Sequence, residues 1–231
     1  MGGRIDVYFD IASLYSYLGF AYLTDNLEIL KAHHVEVEFH PMLLGAVNAK
    51  TGNKPPWFVQ AKATHGWTWE AKRALVHFKR PDIRPPQDLM PMGLTILPLR
   101  CLHYVKQEYP VETYYALIEH FFRNFWTPPN RNLTQPEVLA AVLASFGKFS
   151  PSECTAILAA AKEQQFKDKL TSTTQDALDK GAYGAPWLWV TNAEGKSEPF
   201  FGSDRFNYVY KFLGLPYQEL QLLPPKADAK L

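Results

Sequence analysis

Cysteine is nearly absent: Cys101 and Cys154 are the only two in 231 residues. Lying far apart, they support neither a disulfide framework nor a metal knuckle, and a buried thiol is the expected fate of each. An excess of either charge is also missing, since 24 Lys and Arg face 23 Asp and Glu. A net charge of +1 gives no general field for nucleic acid or an anionic membrane, so any anion site must be local. No apolar run approaches the roughly 20 residues that span a bilayer. The opening MGGRIDVYFD lacks the basic, apolar and small-residue zones of a secretory signal, so a protein kept inside the cell without membrane insertion is expected. The seven histidines include His33 and His34 but no His-Glu-x-x-His spacing, and they read as surface or satisfied core groups with no metal. Neither a glycine-rich phosphate loop nor a Gly-x-Ser-x-Gly elbow occurs.

What is present is apolar material: 47% of the chain is hydrophobic and 20% charged, enough to offset the entropy of ordering a compact fold. Residues 5–9 and 35–40 alternate like strands, and apolar positions recur at near-helical spacing across 13–31 between them. A crossover of that length predicts parallel strands joined right-handed. From about residue 57 to 169 strand signals are scarce, whereas VETYYALIEHFFRNFW and PEVLAAVLASF carry helical periodicity between proline pairs. A helix then resumes over 171–180, PWLWVTN and EPFF read as strands joined by a turn at 192–195, and a last helix is expected from near Ser203. The order is that of an α/β, thioredoxin-like βαβ…ββα domain interrupted by an all-helical insertion. The segments are 1–56 and 169–231 for the thioredoxin-like domain and 57–168 for the insertion.

Ser13 stands where the first strand passes into the first helix, in YFDIASLYSYLGF. It serves as a plain helix cap, or it uses the same geometry chemically, because a helix start favours an anion and a hydroxyl can donate to a thiolate. Thioredoxin-like redox proteins keep a Cys-x-x-Cys pair there; this chain has Ser13 and Ser16, so it can hold a borrowed thiolate but form no disulfide. Pro186, in GAYGAPWLWV, is a strand-entry proline or the cis proline that faces the active helix in this arrangement, with Ala185 offering its backbone to a peptide. Ser203 and Asp204 in FFGSDR are a helix cap, or a carboxylate and ammonium site fitting a γ-glutamyl group. Asn53 in TGNKPPW and Lys62 are a turn and a solvated lysine, or contacts for the peptide groups and remaining carboxylate of such a ligand. The six Trp and many Phe and Tyr read mainly as core.

In these segments together the chain resembles the kappa-class glutathione transferases and their relatives, the 2-hydroxychromene-2-carboxylate isomerases, over nearly its whole length. The resemblance implies a homodimer that binds glutathione and a small electrophile without a metal. It makes Ser13 the catalytic serine at the glutathione sulfur, with Tyr15 in the same segment. Asn53, Lys62, Ala185 and Pro186 become glutathione contacts, and Ser203 and Asp204 the γ-glutamyl site. The family usually has proline at Leu14 and a larger apolar residue at Ala185, so this turn lacks a proline's stiffness and its wall is more open. Kappa enzymes of eukaryotes occur in mitochondria and peroxisomes, several ending in a tripeptide like Ala229-Lys230-Leu231. A peroxisomal address is therefore expected, with mitochondrion or cytoplasm as alternatives. The expected activity is conjugation of the glutathione thiolate to small apolar electrophiles. The alternatives are glutathione-dependent isomerisation and a non-catalytic glutathione-binding module; a disulfide reductase is disfavoured because neither cysteine lies at the motif.

Overall fold

Alternation gives one strand two unlike faces. In β1 (Gly3–Phe9), Ile5, Val7 and Phe9 are fully buried on one side, while Arg4, Asp6 and Tyr8 face the other. The computed structural model describes residues 2–55 and 58–218. It pairs β1 in parallel with β2 (Val35–Pro41) and antiparallel with β3 (Trp187–Asn192), which forms a hairpin with β4 (Ser197–Phe201). The sheet order is β2-β1-β3-β4, the mixed sheet expected of the thioredoxin-like order of elements. In the hairpin turn the Asn192 side chain accepts from the N–H groups of Glu194 and Lys196, and Gly195 supplies a left-handed φ of 77°.

The single helix expected over 13–31 is two: α1 (Leu14–Asp25) and α2 (Leu27–Ala32). Asn26 breaks it, because its side-chain amide bonds the Tyr22 carbonyl 2.8 Å away and its own φ and ψ leave the helical region. After α3 (Leu44–Thr51), a nearly continuous rod runs through α4 (Gln60–His65), a π-helical turn (Gly66–Glu70) and α5 (Ala71–His77). Then come α6 (Leu89–Met92), α7 (Ile96–Glu108), α8 (Val111–Trp126), α9 (Pro136–Ser145), α10 (Pro151–Ala160) and α11 (Gln164–Asp179). The helix expected to resume at 171 thus starts at 164 and spans the expected junction at residues 168 and 169. Its buried stripe, Phe166, Leu170, Thr174 and Ala177, explains the earlier start, since Phe166 is its first anchor.

Helix α8 is the central brace. Tyr114, Leu117, Ile118, Phe121, Phe122 and Phe125 fall at spacings of three and four and are wholly buried, each such side chain contributing roughly 1.5–3 kcal/mol. The Phe122 ring meets Phe9, Tyr17 and Phe20, so α8 locks α1 to the sheet. A second, smaller core under the other face joins Tyr8, Met42, Val47, Ala177 and Trp187. Both cysteines are buried, and burial pushes the Cys101 thiol up to about 12 and the Cys154 thiol up as well.

The last helix, α12 (Phe206–Phe212), begins three residues after Ser203. Tertiary packing overrides the cap signal there: Gly202, at φ 95°, donates its N–H to the Pro186 carbonyl, and Ser203 is buried against Gly19 of α1. No described helix is long and apolar enough to cross a membrane.

Candidate functional site

Ser13 is the N-cap of α1. Its Oγ accepts from the Ser16 N–H at 3.0 Å and donates to the Ala185 carbonyl at 3.0 Å. It is also nearly buried, at 8% exposure. The Ala185–Pro186 peptide bond is cis, so strand β3 begins directly opposite the first turn of α1. The Ser13 N–H turns back to the Asp10 carbonyl and the Ser16 N–H goes to Oγ, which leaves the first-turn N–H groups of Leu14 and Tyr15 without a partner among the described residues. They stand at the positive end of a 12-residue helix, on the wall of the main cavity.

That cavity, about 1750 Å³, is lined by Ser13, Tyr15, Asn53, Lys62, Ala185, Ser203 and Asp204 among others. Seven of the eight residues singled out in the sequence therefore line one cavity, with Pro186 next to Ala185 in the chain. Asn53 is held by its amide, which donates to the Tyr183 carbonyl at 2.6 Å and accepts from the Lys54 N–H. Lys62 has no hydrogen bond or ion partner among the described residues. Ser203 is buried and Asp204 exposed, the latter paired with Arg205. Burial, then the charges of Glu70 and Asp204, raise the Tyr15 hydroxyl above its ordinary pKa, which brings these three groups into one field. The helix N-terminus expected at Ser203 is not there: α12 starts at Phe206, so the polar groups at this end are the Ser203 hydroxyl and the Asp204 carboxylate.

The room comes from small residues. The rod α4–α5 faces the cavity with Ala61, Ala63, Gly66, Ala71 and Ala74, and among them sit Lys62, Trp67, Glu70, Arg73 and His77. Trp67 leans on Trp126, with ring centroids 6.1 Å apart, and the Trp126 indole donates to the Ile11 carbonyl at 2.8 Å. Glycine at 184 lets the Phe201 ring come close: a Cβ there would lie 2.7 Å from it, so the ring would have to shift.

One residue of the site was missed in the sequence. Asp10 is fully buried at the end of β1 and accepts from the Thr95 hydroxyl at 2.5 Å, the Ala12 N–H at 3.0 Å and the Leu44 N–H at 2.8 Å. It ties the Ser13 turn to the starts of α3 and α7. Burial raises its carboxyl to about 6 against those hydrogen bonds. A charged residue closing an apolar strand run was the available signal. Away from the cavity, Asp6, Glu38 and His40 gather three ligand atoms within 4.8 Å, a grouping that could hold a metal ion. Arg4 already pairs with Asp6, Glu36 and Glu38, and Lys106 with Glu38 at 2.6 Å, so cations of the protein occupy that position.

The model of the DSBA-like thioredoxin domain family matches residues 4–214. Glutathione S-transferase kappa 1 of Caenorhabditis elegans is 29% identical, over 92% of this chain and 92% of its own. Glutathione S-transferase kappa 1 of Homo sapiens is 26% identical over 98% and 97%. Among solved structures, a 2-hydroxychromene-2-carboxylate isomerase superposes with a TM-score of 0.72 at 16% identity, covering 91% of this chain and 94% of that one.

Proposed function

The chain belongs to the family of DSBA-like thioredoxin domains, and we propose that it is a glutathione transferase of kappa type in which the pair of cysteines is replaced by a site for the thiolate of glutathione. The observation that carries this reading is the Ser13 hydroxyl at the cavity wall, bonded to Ala185 and flanked by the unmatched Leu14 and Tyr15 N–H groups. The similarity to the kappa transferases supports it.

Glutathione lies across the cavity, its glycine carboxylate toward Asn53 and Lys62 and its γ-glutamyl end toward Ser203 and Asp204. Its cysteinyl amide competes for the Ala185 carbonyl, which releases the Ser13 proton to point at sulfur. The helix start and hydroxyl then favour the thiolate over the thiol, lowering a pKa that is about 8.5 in free cysteine. Conjugation follows as a sulfur lone pair forms the C–S bond. A leaving group departs with its bonding pair, or, on a conjugated alkene, the pair moves to the neighbouring carbon, which takes a proton from water. Ser13 is an electrostatic stabiliser in this scheme, not a nucleophile. Addition followed by elimination of the same thiolate would give isomerisation from the same site, a second reading favoured by the structural likeness to the isomerase.

Thiolate absorbance of glutathione bound to excess protein, followed across pH, tests the proposal. A midpoint well below that of free glutathione in the parent, largely restored in Ser13→Ala, is expected. Bound glutathione that titrates like the free thiol would leave a binding module. Two further parts belong to the same reading. A homodimer is supported by Trp69 and Val76, 55% and 76% exposed two turns apart on the outer face of the rod; sedimentation of a monomer would remove it. Peroxisomal import through residues 229–231, which lie outside the described residues, is tested by deleting them and following the protein in cells.

A further inference from the structure

Three helices begin around one buried side chain. Helix α1 follows Ser13, α3 follows Leu43 and α7 follows Thr95. Leu43 has no polar side chain to cap α3, and the Thr95 hydroxyl does not cap α7. Both ends turn to Asp10 instead. Its Oδ2 accepts from the Leu44 N–H, the first of α3, at 2.8 Å, while its Oδ1 accepts from the Thr95 hydroxyl at 2.5 Å and the Ala12 N–H at 3.0 Å. The Asp10 carbonyl takes the Ser13 N–H at 3.0 Å. Asp10 and Thr95 are both wholly buried, and neither lines the cavity.

Helix α10 shows the ordinary alternative, since Ser150 and Glu153 exchange bonds at its own exposed start. A hydroxyl that caps its own helix contributes about 1 kcal/mol, and a buried carboxylate is costly unless it is well bonded. At Asp10 the first is forgone and the second accepted, and burial pushes the carboxyl up to about 6 despite its bonds. What results is a fixed turn. The side-chain bond to Ala12 and the main-chain bond to Ser13 close residues 10–13, and the Ile11 carbonyl between them is held by the Trp126 indole at 2.8 Å. Leu14 comes next as the first residue of α1, where a proline would preset φ and a leucine leaves it free. The stiffness of the Ser13 turn therefore comes from segments distant in the chain.

We propose that Asp10 and Thr95 form a latch that positions the Ser13 turn, holding the Ser13 hydroxyl and the Leu14 and Tyr15 N–H groups in the orientation a sulfur anion needs. The same carboxylate fixes the start of α3, so two stretches of the cavity wall, Ala12 to Tyr15 and Leu44 to Asn48, are set from one point. This rests on the reading of Ser13 as the group that stabilises a thiolate and adds what holds it in place. Asp10 and Thr95 are positioning residues in it, acting through the turn.

Thr95→Val keeps the branched shape and removes the hydroxyl, and Thr95→Ser returns it. Each is combined with Ser13→Cys, and the absorbance of the introduced thiolate is followed across pH in the full-length protein, which reads the turn without glutathione. Cys101 and Cys154, whose thiols burial pushes up, add little near neutral pH. With Thr95 in place the midpoint is expected well below the value of about 8.5 for a free cysteine. Thr95→Val should raise it by about one pH unit, a tenfold loss of thiolate preference, and Thr95→Ser should recover most of that. A charge effect alone has the opposite sign, because a carboxyl deprived of a donor protonates more readily and repels a thiolate less. The proposal is overturned by a midpoint near 8.5 with Thr95 in place, by one that stays or falls in Thr95→Val, or by a serine that does not recover it. Thr95→Ala is read in the same way should the valine variant not fold. An introduced thiol that responds to Thr95 in a protein that leaves the thiol of glutathione unperturbed keeps the latch and loses the transferase reading; the reverse outcome keeps the transferase and loses the latch.

Discussion

The charged cluster on β1 and β2 and the cavity at the end of β1 are built from similar residues to opposite ends. In the cluster the carboxylates and cations answer one another: Arg4 and Lys106 hold Glu38, His40 sits 2.7 Å from Asp6 and stacks on Tyr8, and Tyr8 bonds Asp176, which also takes Lys180 at 2.5 Å. In the cavity Lys62, Arg73 and two backbone N–H groups have no partner among the described residues. A half-buried ion network is stabilising only when its geometry is complete, whereas a site keeps its donors open for charge that arrives with a ligand. The grouping that resembles a metal site is thus the better satisfied of the two.

The sharpest break of that contrast is Ser13→Ala. Losing one oriented donor should lower the conjugation rate about a hundredfold while glutathione affinity changes little; steady-state kinetics beside a binding titration would show the split. Equal turnover would remove Ser13 from the chemistry.

The two regions should also differ in the sign of their pH dependence. Asp10 keeps its proton to about pH 6 in the fold, against an ordinary value of 3.8. Its contribution is full below about pH 4 and declines as pH rises to about 6, by about 3 kcal/mol in all. Asp6 runs the other way. Burial alone would raise it, but hydrogen bonds from His40 and Arg4 outweigh that and hold it at about 2. Its contribution, about 2 kcal/mol, is present above about pH 4 and lost as pH falls toward 2. Urea unfolding of the parent, Asp6→Asn and Asp10→Asn at stepped pH should flatten each slope separately.

Lys106→Met leaves Glu38 with Arg4 as its remaining cation and removes the bond to the Phe39 carbonyl, so a loss of about 2 kcal/mol is expected, with catalysis below the new melting temperature intact. Thermal unfolding together with the conjugation assay checks it; lost activity in the folded variant would join the two regions functionally. The smallest effect expected is that of zinc or manganese. Because Arg4 and Lys106 already fill the Asp6, Glu38 and His40 grouping, neither metal should raise the melting temperature, and a metal-dependent rise would overturn the contrast.

Much of the site could be read in the sequence because it depends on local patterns. A β-alternation into a serine-capped helix places Ser13, and a proline before a hydrophobic strand places Ala185 and Pro186. What could not be read depends on residues distant in the chain. The start of α12 is delayed by the packing of Ser203 against Gly19, and Asp10 looks like any strand-ending aspartate until Thr95, 85 positions later, is brought to it.

The buried cysteines give the protein a chemical neutrality. At a pKa of about 12, Cys101 is ionised to roughly one part in 100,000 at pH 7, and its sulfur faces the Ile157 carbonyl inside the helical core. Cys154 is buried too, in α10, which packs against α7. Burial thus holds both thiols toward their protonated, unreactive form. Under the proposed function, Cys101 thus offers little thiolate of its own at neutral pH to exchange with the sulfur that the cavity would hold.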